Sequence, residues 1–314
     1  MIDRTRMLRV CARLASPFLG MAESQIYRSV EDQNETSHFP VFLLGAPRTG
    51  STILYQMLTE ELQCLYIDNL VYAFSDRLPF GFWLSQKLYG NSGHGSFEST
   101  YGRTGSLHSP SECGAFWFRW FPRSHDFVEA ADIDSVSIDQ LRQNLHTVMN
   151  HYNQSIVIKN LNAGQRLRVL KPALPNTKFV FIRRSPFFTI QSLLKARMSQ
   201  KMPDDRWWSV RPKNHLELAK LPLIEKLTGQ VFHLERQIVE DTQSLSAKQV
   251  REISYSNYSQ EFESLLNFLD LPRRNKLDIG SFQFSNKVTV DDKTRNQILS
   301  AMDRYDWSEL GYDR

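Results

Sequence analysis

The chain has 314 residues, with 41% hydrophobic, 12% aromatic and 23% charged side chains. That is enough to bury a sizeable core and unlike a disordered, collagenous or low-complexity sequence. Its 38 Lys and Arg against 34 Asp and Glu leave a formal charge of +4, far short of the basic stripe of a nucleic-acid binder and better suited to small anionic ligands. Three cysteines, Cys11, Cys64 and Cys113, form no Cys-x-x-Cys or Cys/His cluster, so neither a disulfide framework nor a metal site is expected and a reducing, cytoplasmic location is the default.

The first segment, MIDRTRMLRVCARLASPFLG, is basic and helical in pattern, with Arg4, Arg6, Arg9 and Arg13 among Met7, Leu8, Val10 and Leu14. It lacks the apolar region and cleavage site of a secretory signal, and no run reaches the roughly 18 apolar residues of a membrane span. A helix packed on the domain edge is expected; a membrane-surface helix or an organelle-targeting peptide is the alternative. With no repeat or linker in sight, residues 1–38 read as an N-terminal helical extension and residues 39–314 as one α/β domain.

An apolar run from Val41 to Leu44 meets a glycine-rich turn, after which Ile53, Leu54, Met57, Leu58 and Leu62 recur at helical spacing, so strand, loop and helix follow in order. From about Asn69 to Ser111 periodicity is weak and irregular structure walling a pocket is expected. Ile156 to Ile158 and Lys178 to Ile182 read as buried parallel strands, the first ending at Lys159 and Asn160, the second at Arg183 and Arg184. Ser185 as N-cap and Pro186 at the first helical position predict a helix directly after the second. Further helices are expected at about 216–241, around Phe262 to Leu269 with a stop at Pro272, and at 291–304, with a short strand at 251–255.

The loop Gly45-Ala-Pro-Arg-Thr-Gly-Ser-Thr52 has the Gly-x4-Gly spacing of a phosphate-cradling turn. A nucleotide triphosphatase wants lysine directly after the second glycine, and Ser51 stands there; the loop's one cation is Arg48. A donor with no β and γ phosphates has no need of that lysine, whereas a cation beside the breaking bond would neutralise a leaving phosphate. Arg48 suits this role, with the Thr49, Ser51 and Thr52 hydroxyls and the Gly50 N–H as phosphate ligands. A tight turn or a degenerate triphosphatase loop would show the same spacing.

The stretch Pro47 to Thr52 resembles the first loop of sulfotransferases that use 3′-phosphoadenosine 5′-phosphosulfate, in the branch reading Pro-Arg-(Ser/Thr)-Gly-(Ser/Thr)-Thr. In that family this loop grips the 5′-phosphosulfate, and an Arg at a strand end, with Pro two residues on and Ser eight on, grips the 3′-phosphate. FIRRSPFFTIQSLL matches with Arg184, Pro186 and Ser192. The likeness extends through IVIKNLNAGQRLRVLKPALPNTKFVFIRR and ISYSNYSQEFESLLNFLDLP, from about Phe39 to Pro272, and the late triplet Ser285 to Lys287 is similar to a basic segment that closes on the donor. The resemblance implies a P-loop-like parallel sheet flanked by helices, with an irregular or helical insertion on the acceptor side. It also implies 3′-phosphoadenosine 5′-phosphosulfate as co-substrate, a hydroxyl acceptor on a carbohydrate or glycoconjugate, and Lys287 near the donor.

Sulfuryl transfer to a hydroxyl needs a general base within reach. Small-molecule members place a His two residues after a strand-end Lys, but Leu161 occupies that position after Lys159. His108-Ser-Pro-Ser-Glu112 resembles the Ser-Pro-x-Glu segment of the other branch, which implies Glu112 as base with His108 second; Glu112 as cap of a helix starting near Pro110 is the alternative. Lys159 is read as stabilising the bridging oxygen or the acceptor, or as a surface lysine. Phe116, Trp117, Phe118, Trp120, Phe121, Trp207 and Trp208 offer an aromatic wall or core packing.

Two rival functions remain: a P-loop nucleotide kinase or NTPase, which would need the absent lysine and a magnesium-binding Asp at a strand end, and a nucleotide-binding scaffold without chemistry. Triplets at Asn34, Asn153 and Asn257 match the glycosylation acceptor at chance frequency.

Overall fold

The computed structural model describes residues 4–30, 36–284 and 286–312. The Asn34 acceptor, Ser285 and the side chains of Arg4, Arg6, Arg9, Cys11 and Arg13 lie outside the described residues. The strands are β1 (Pro40–Leu44), β2 (Leu65–Tyr66), β3 (Ser99–Thr100), β4 (Arg103–Thr104), β5 (Ile156–Lys159), β6 (Lys178–Arg183) and β7 (Val250–Ser254). Five form a parallel sheet in the order β2-β5-β1-β6-β7, and β3 pairs antiparallel with β4.

The α-helices are α1 (Arg4–Arg28), α2 (Ser51–Glu61), α3 (Asn69–Ala73), α4 (Leu78–Tyr89), α5 (Gly114–Trp117) and α6 (Ser135–Tyr152) in the first half. The second half adds α7 (Leu167–Ala173), α8 (Pro186–Ser199), α9 (His215–Leu218), α10 (Leu223–Thr242), α11 (Tyr258–Leu269) and α12 (Asp292–Met302). Among the described residues no helix is long and apolar enough to cross a membrane.

Every residue of β1 is buried because helices cover both sheet faces, which is why the strands read as unbroken apolar runs. Val41 and Leu43 join Val157, Val180 and Ile182 on the face under α2 and α11, while Phe42 and Leu44 join Ile158, Phe179 and Phe181 on the face under α6 and α7. Central β1 sets Leu43 beside Lys159 of β5 and Leu44 beside Phe181 of β6. The turn after β1 therefore emerges between the strand ends that carry Lys159 and Arg184, the crevice where open parallel sheets bind ligands.

Two expectations change. The stretch 69–111, expected to be irregular, contains α3, α4 and the β3–β4 hairpin. The packing of α4 required Gly81, where a Cβ would sit 3.2 Å from the Val71 carbonyl on α3, so tertiary contact set a helix that periodicity hid. The single helix expected at 216–241 is two, α9 and α10, because Pro222 stands at the N-cap of α10. Pro272 does follow the end of α11, where Asp270 takes a left-handed φ of 53°.

Candidate active site

The chain leaves β1 at Leu44 and turns from Gly45 to Gly50 before α2 begins at Ser51. Gly45 has φ 149°, and a Cβ there would stand 2.7 Å from the Ile182 carbonyl oxygen of β6. Gly50 has φ 89°, and its Cβ would meet the Tyr255 ring at 2.3 Å. Only glycine permits both approaches. Arg48, between them, holds a left-handed φ of 74°, a conformation that costs a non-glycine residue roughly 1–2 kcal/mol.

Gly50 is the N-cap of α2 and no side chain caps that end, so first-turn N–H groups and the helix dipole remain for an anion. Gly50, Ser51 and Thr52 line a cleft of about 180 Å³. Thr49 does not. It is fully buried and its hydroxyl donates to the Ala46 carbonyl at 2.9 Å, which corrects the expectation of a ligand hydroxyl there. Thr49 instead braces the turn that aims Arg48.

β5 delivers Lys159, whose Nζ is buried, donates to Thr52 Oγ1 at 3.1 Å and pairs with Glu112 Oε1. Asn160 Nδ2 holds the Glu112 main-chain carbonyl at 3.1 Å, so the two segments dock through side chain and backbone together. Glu112 lines the cleft with its side chain 39% exposed. It caps no helix: α5 starts at Gly114, and its N-cap is Cys113.

β6 delivers Arg184, whose Nε donates to Asn286 Oδ1 at 2.9 Å and whose Nη1 donates to the Arg48 carbonyl at 3.1 Å. Its guanidinium lies 4.5 Å from the Tyr255 ring centroid. Arg48 reaches across to α8, its Nε donating to Ser192 Oγ at 3.1 Å, with its guanidinium 5.4 Å from the centre of the Tyr101 ring. Burial lowers the pKa of both arginines, and the charge of Arg48 adds to the fall at Arg184. Guanidinium stays protonated nonetheless. Among the described residues neither has a carboxylate partner, so two partly buried cations face one cleft unneutralised.

His108 lies elsewhere, which removes it from the cleft's candidates. Its ring stacks on Tyr89 at 4.2 Å and bonds Asp68 Oδ2 and the Ser92 carbonyl, each at 3.1 Å, pinning the segment that leads to Glu112. Ser185 occupies the N-cap of α8 as expected, but its side chain makes no capping bond.

Lys287 has an exposed side chain, and it is the neighbouring Asn286 that reaches Arg184. Gln191 of α8 fixes that segment, donating to the Lys287 carbonyl and accepting from Thr289 N. Phe116, Trp117, Trp120 and Phe121 are core residues, while Trp208 lines the cleft, edge-on to Tyr101 at 5.9 Å. Tyr101 carried no sequence signal, and Asn286 only its place in the Ser285 to Lys287 triplet, where Lys287 was the expected donor residue. Tyr255 lies in the segment ISYSNYSQEFESLLNFLDLP, through which the resemblance extends.

A family model described as the sulfotransferase family matches residues 40–275. Among solved structures, sulfotransferase STF9 from Mycobacterium avium superposes with a TM-score of 0.50 at 13% identity, covering 92% of this chain and 74% of that one. STF1 from Mycobacterium tuberculosis H37Rv gives 0.45 at 14% identity, over 93% and 78%. The sulfotransferase domain from the curacin biosynthetic pathway gives 0.48 at 14%, over 89% and 99%. No curated protein matches the chain. The structural likeness speaks for the parallel-sheet fold; with the family match over three quarters of its length, the chain belongs to the sulfotransferase family.

Proposed function

We propose that the protein moves the sulfuryl group of 3′-phosphoadenosine 5′-phosphosulfate to a hydroxyl of a carbohydrate or glycoconjugate. The supporting observation is the pair Arg48 and Arg184, which have no carboxylate partners among the described residues, are bonded to one another through the Arg48 carbonyl, and stand on two adjacent strand-to-helix junctions. Two anionic groups of one donor, a phosphosulfate and a separate phosphate, satisfy such a pair better than one. A phosphoryl-transfer site would put a carboxylate at a strand end for magnesium; here β5 ends on Lys159, and β6 ends on Arg183 with Arg184 directly after it.

In this reading Arg48, Gly50, Ser51 and Thr52 hold the phosphosulfate, with Thr49 bracing the loop. Arg184 and Ser192 hold the 3′-phosphate, beside the segment of Asn286 and Lys287. The acceptor oxygen attacks sulfur in line as the bond from sulfur to the bridging oxygen breaks. That electron pair stays on the 5′-phosphate of adenosine 3′,5′-bisphosphate, and the acceptor proton passes to Glu112. Lys159, already on Thr52, and Arg48 offset the charge growing on the leaving oxygen, each such donor being worth roughly 10²–10³ in rate. Tyr101 and Trp208 offer ring faces over which a sugar could pack.

The test is acceptor-dependent release of adenosine 3′,5′-bisphosphate from the donor across panels of sugars, phenols and tyrosine peptides. Sugar-dependent release that disappears in Arg48→Ala is expected. Release with phenols alone would overturn the carbohydrate assignment, and release with no hydroxyl acceptor would overturn the transferase reading itself.

A further inference from the structure

Behind the donor cleft, on the far side of the β6–α8 junction, Glu235 of α10 is fully buried. Its Oε2 lies 2.6 Å from the Tyr312 hydroxyl, and its Oε1 has no hydrogen-bond partner among the described residues. The same Tyr312 hydroxyl lies 3.2 Å from the main-chain carbonyl of Arg184. A phenol has one proton to give, yet it faces two groups that both accept when Glu235 is ionised. Both contacts become good hydrogen bonds in one arrangement only: the Glu235 carboxyl carries a proton and donates it to Tyr312, and Tyr312 donates to Arg184.

We propose that Glu235 and Tyr312 are positioning residues that set the backbone of Arg184 through a proton-dependent relay, so that the grip on the donor's 3′-phosphate loosens as Glu235 ionises. The proposal rests on reading Arg184 as a donor ligand. Ionisation would draw the Tyr312 proton to the carboxylate and leave the Arg184 carbonyl unbonded. An unpaired carbonyl behind a residue that aims a guanidinium is a cost the relay removes.

The surroundings are consistent with this. The charged and titratable groups facing Glu235 are Tyr312 from the tail, Arg183 from β6 and Glu252 from β7. Burial raises the carboxyl's pKa to about 7, outweighing the hydrogen bond from Tyr312 and the charge of Arg183, which lower it. Arg183 bonds Glu252 Oε2 at 3.2 Å and the Leu310 carbonyl and lies over the Tyr312 ring at 4.1 Å, while its Nε has no hydrogen-bond partner among the described residues. It holds the tail that carries Tyr312, and its charge lowers the Glu235 pKa by less than burial raises it. Tyr312 also lines a cleft of about 630 Å³ beside Trp307 and Pro186, which gives the relay a path for proton exchange with solvent.

The experiment is calorimetric titration with adenosine 3′,5′-bisphosphate across neutral pH for the wild type, Glu235→Gln and Tyr312→Phe. Gln keeps an N–H to donate to Tyr312 at every pH, and it cancels the ligand's own phosphate titration in the comparison. The ratio of wild-type Kd to Gln Kd is expected to rise roughly two- to tenfold from below pH 6 to above pH 8, and Tyr312→Phe is expected to bind weakly at all pH. A ratio independent of pH would overturn the relay.

Should a variant fail to fold, infrared titration of wild-type carboxyl bands decides: a protonated carboxyl titrating near neutrality supports the relay, and ionised carboxylates alone at pH 6 overturn it. No bisphosphate binding at any pH would instead overturn the donor reading, with the infrared result still separating the two.

Discussion

Arg48 and Ser192, 144 positions apart in the chain, are joined by a hydrogen bond of 3.1 Å from guanidinium Nε to hydroxyl Oγ. One leans from the turn after β1, the other from the second turn of α8, and the bond spans the gap in which the two phosphate sites of the donor would lie. Replacing Ser192 by Ala removes the hydroxyl proposed to hold the 3′-phosphate and is expected to raise the Kd for adenosine 3′,5′-bisphosphate about three- to tenfold. Arg48→Ala is expected to cut kcat by roughly 10²–10³. The double variant should fall short of the product of the two effects, because the groups touch. Titration and steady-state rates on folded protein check all three; additive effects would contradict the bond.

Glu112 combines exposure to the cleft with a buried lysine partner. Glu112→Gln keeps the shape, offers Lys159 an amide oxygen and removes the carboxylate proposed as base. A loss of roughly 10²–10⁴ in kcat with the Kd for the bisphosphate unchanged is expected. A full-rate Gln variant would move the base elsewhere. His108→Ala, by contrast, should lower stability, since its ring pins the segment before Glu112 to Asp68 and Tyr89.

Gly50 carries both a φ of 89° and the Tyr255 ring directly above it. Gly50→Ala is therefore expected to cost about 1–3 kcal/mol in urea unfolding and to weaken bisphosphate binding, because the ring that backs Arg184 must move. Unchanged affinity and stability would show that Tyr255 is free to shift.

Glu235 also predicts a pH dependence of stability. Its folded pKa, pushed up to about 7, lies above the ordinary value of 4.5, so the folded chain holds a proton that the unfolded chain has released between those values. The contribution is fully present below about pH 4.5 and is lost as pH rises to about 7 and beyond. Urea unfolding of the wild type against Glu235→Gln should show the wild type losing on the order of 2–3 kcal/mol relative to the variant from pH 5 to pH 8. Parallel curves would contradict a raised pKa.

The two strand-turn-helix units that carry Arg48 and Arg184 were legible in the sequence because each is local. Glycine spacing, the Arg48 position and the Arg184-to-Ser192 interval each sit within one strand-turn-helix unit, where backbone geometry ties residue spacing to position in space. The parallel strands were legible for a related reason, since burial on both faces leaves an unbroken apolar run. What spacing could not show depends on long-range packing: that Thr49 turns inward, that Asn286 rather than Lys287 meets Arg184, and that Tyr101 overhangs Arg48. The Glu235–Tyr312 contact joins α10 to the tail across 77 positions, and nothing in either segment alone marks it.

The most direct test of the donor site is calorimetric titration of the wild type with adenosine 3′,5′-bisphosphate, set beside magnesium-ATP and 5′-AMP. Metal-independent binding of the bisphosphate, tighter than 5′-AMP and weakened by Arg184→Ala, is the expected result. Preference for magnesium-ATP, or equal binding of 5′-AMP and the bisphosphate, would contradict a second phosphate site at Arg184 and Ser192.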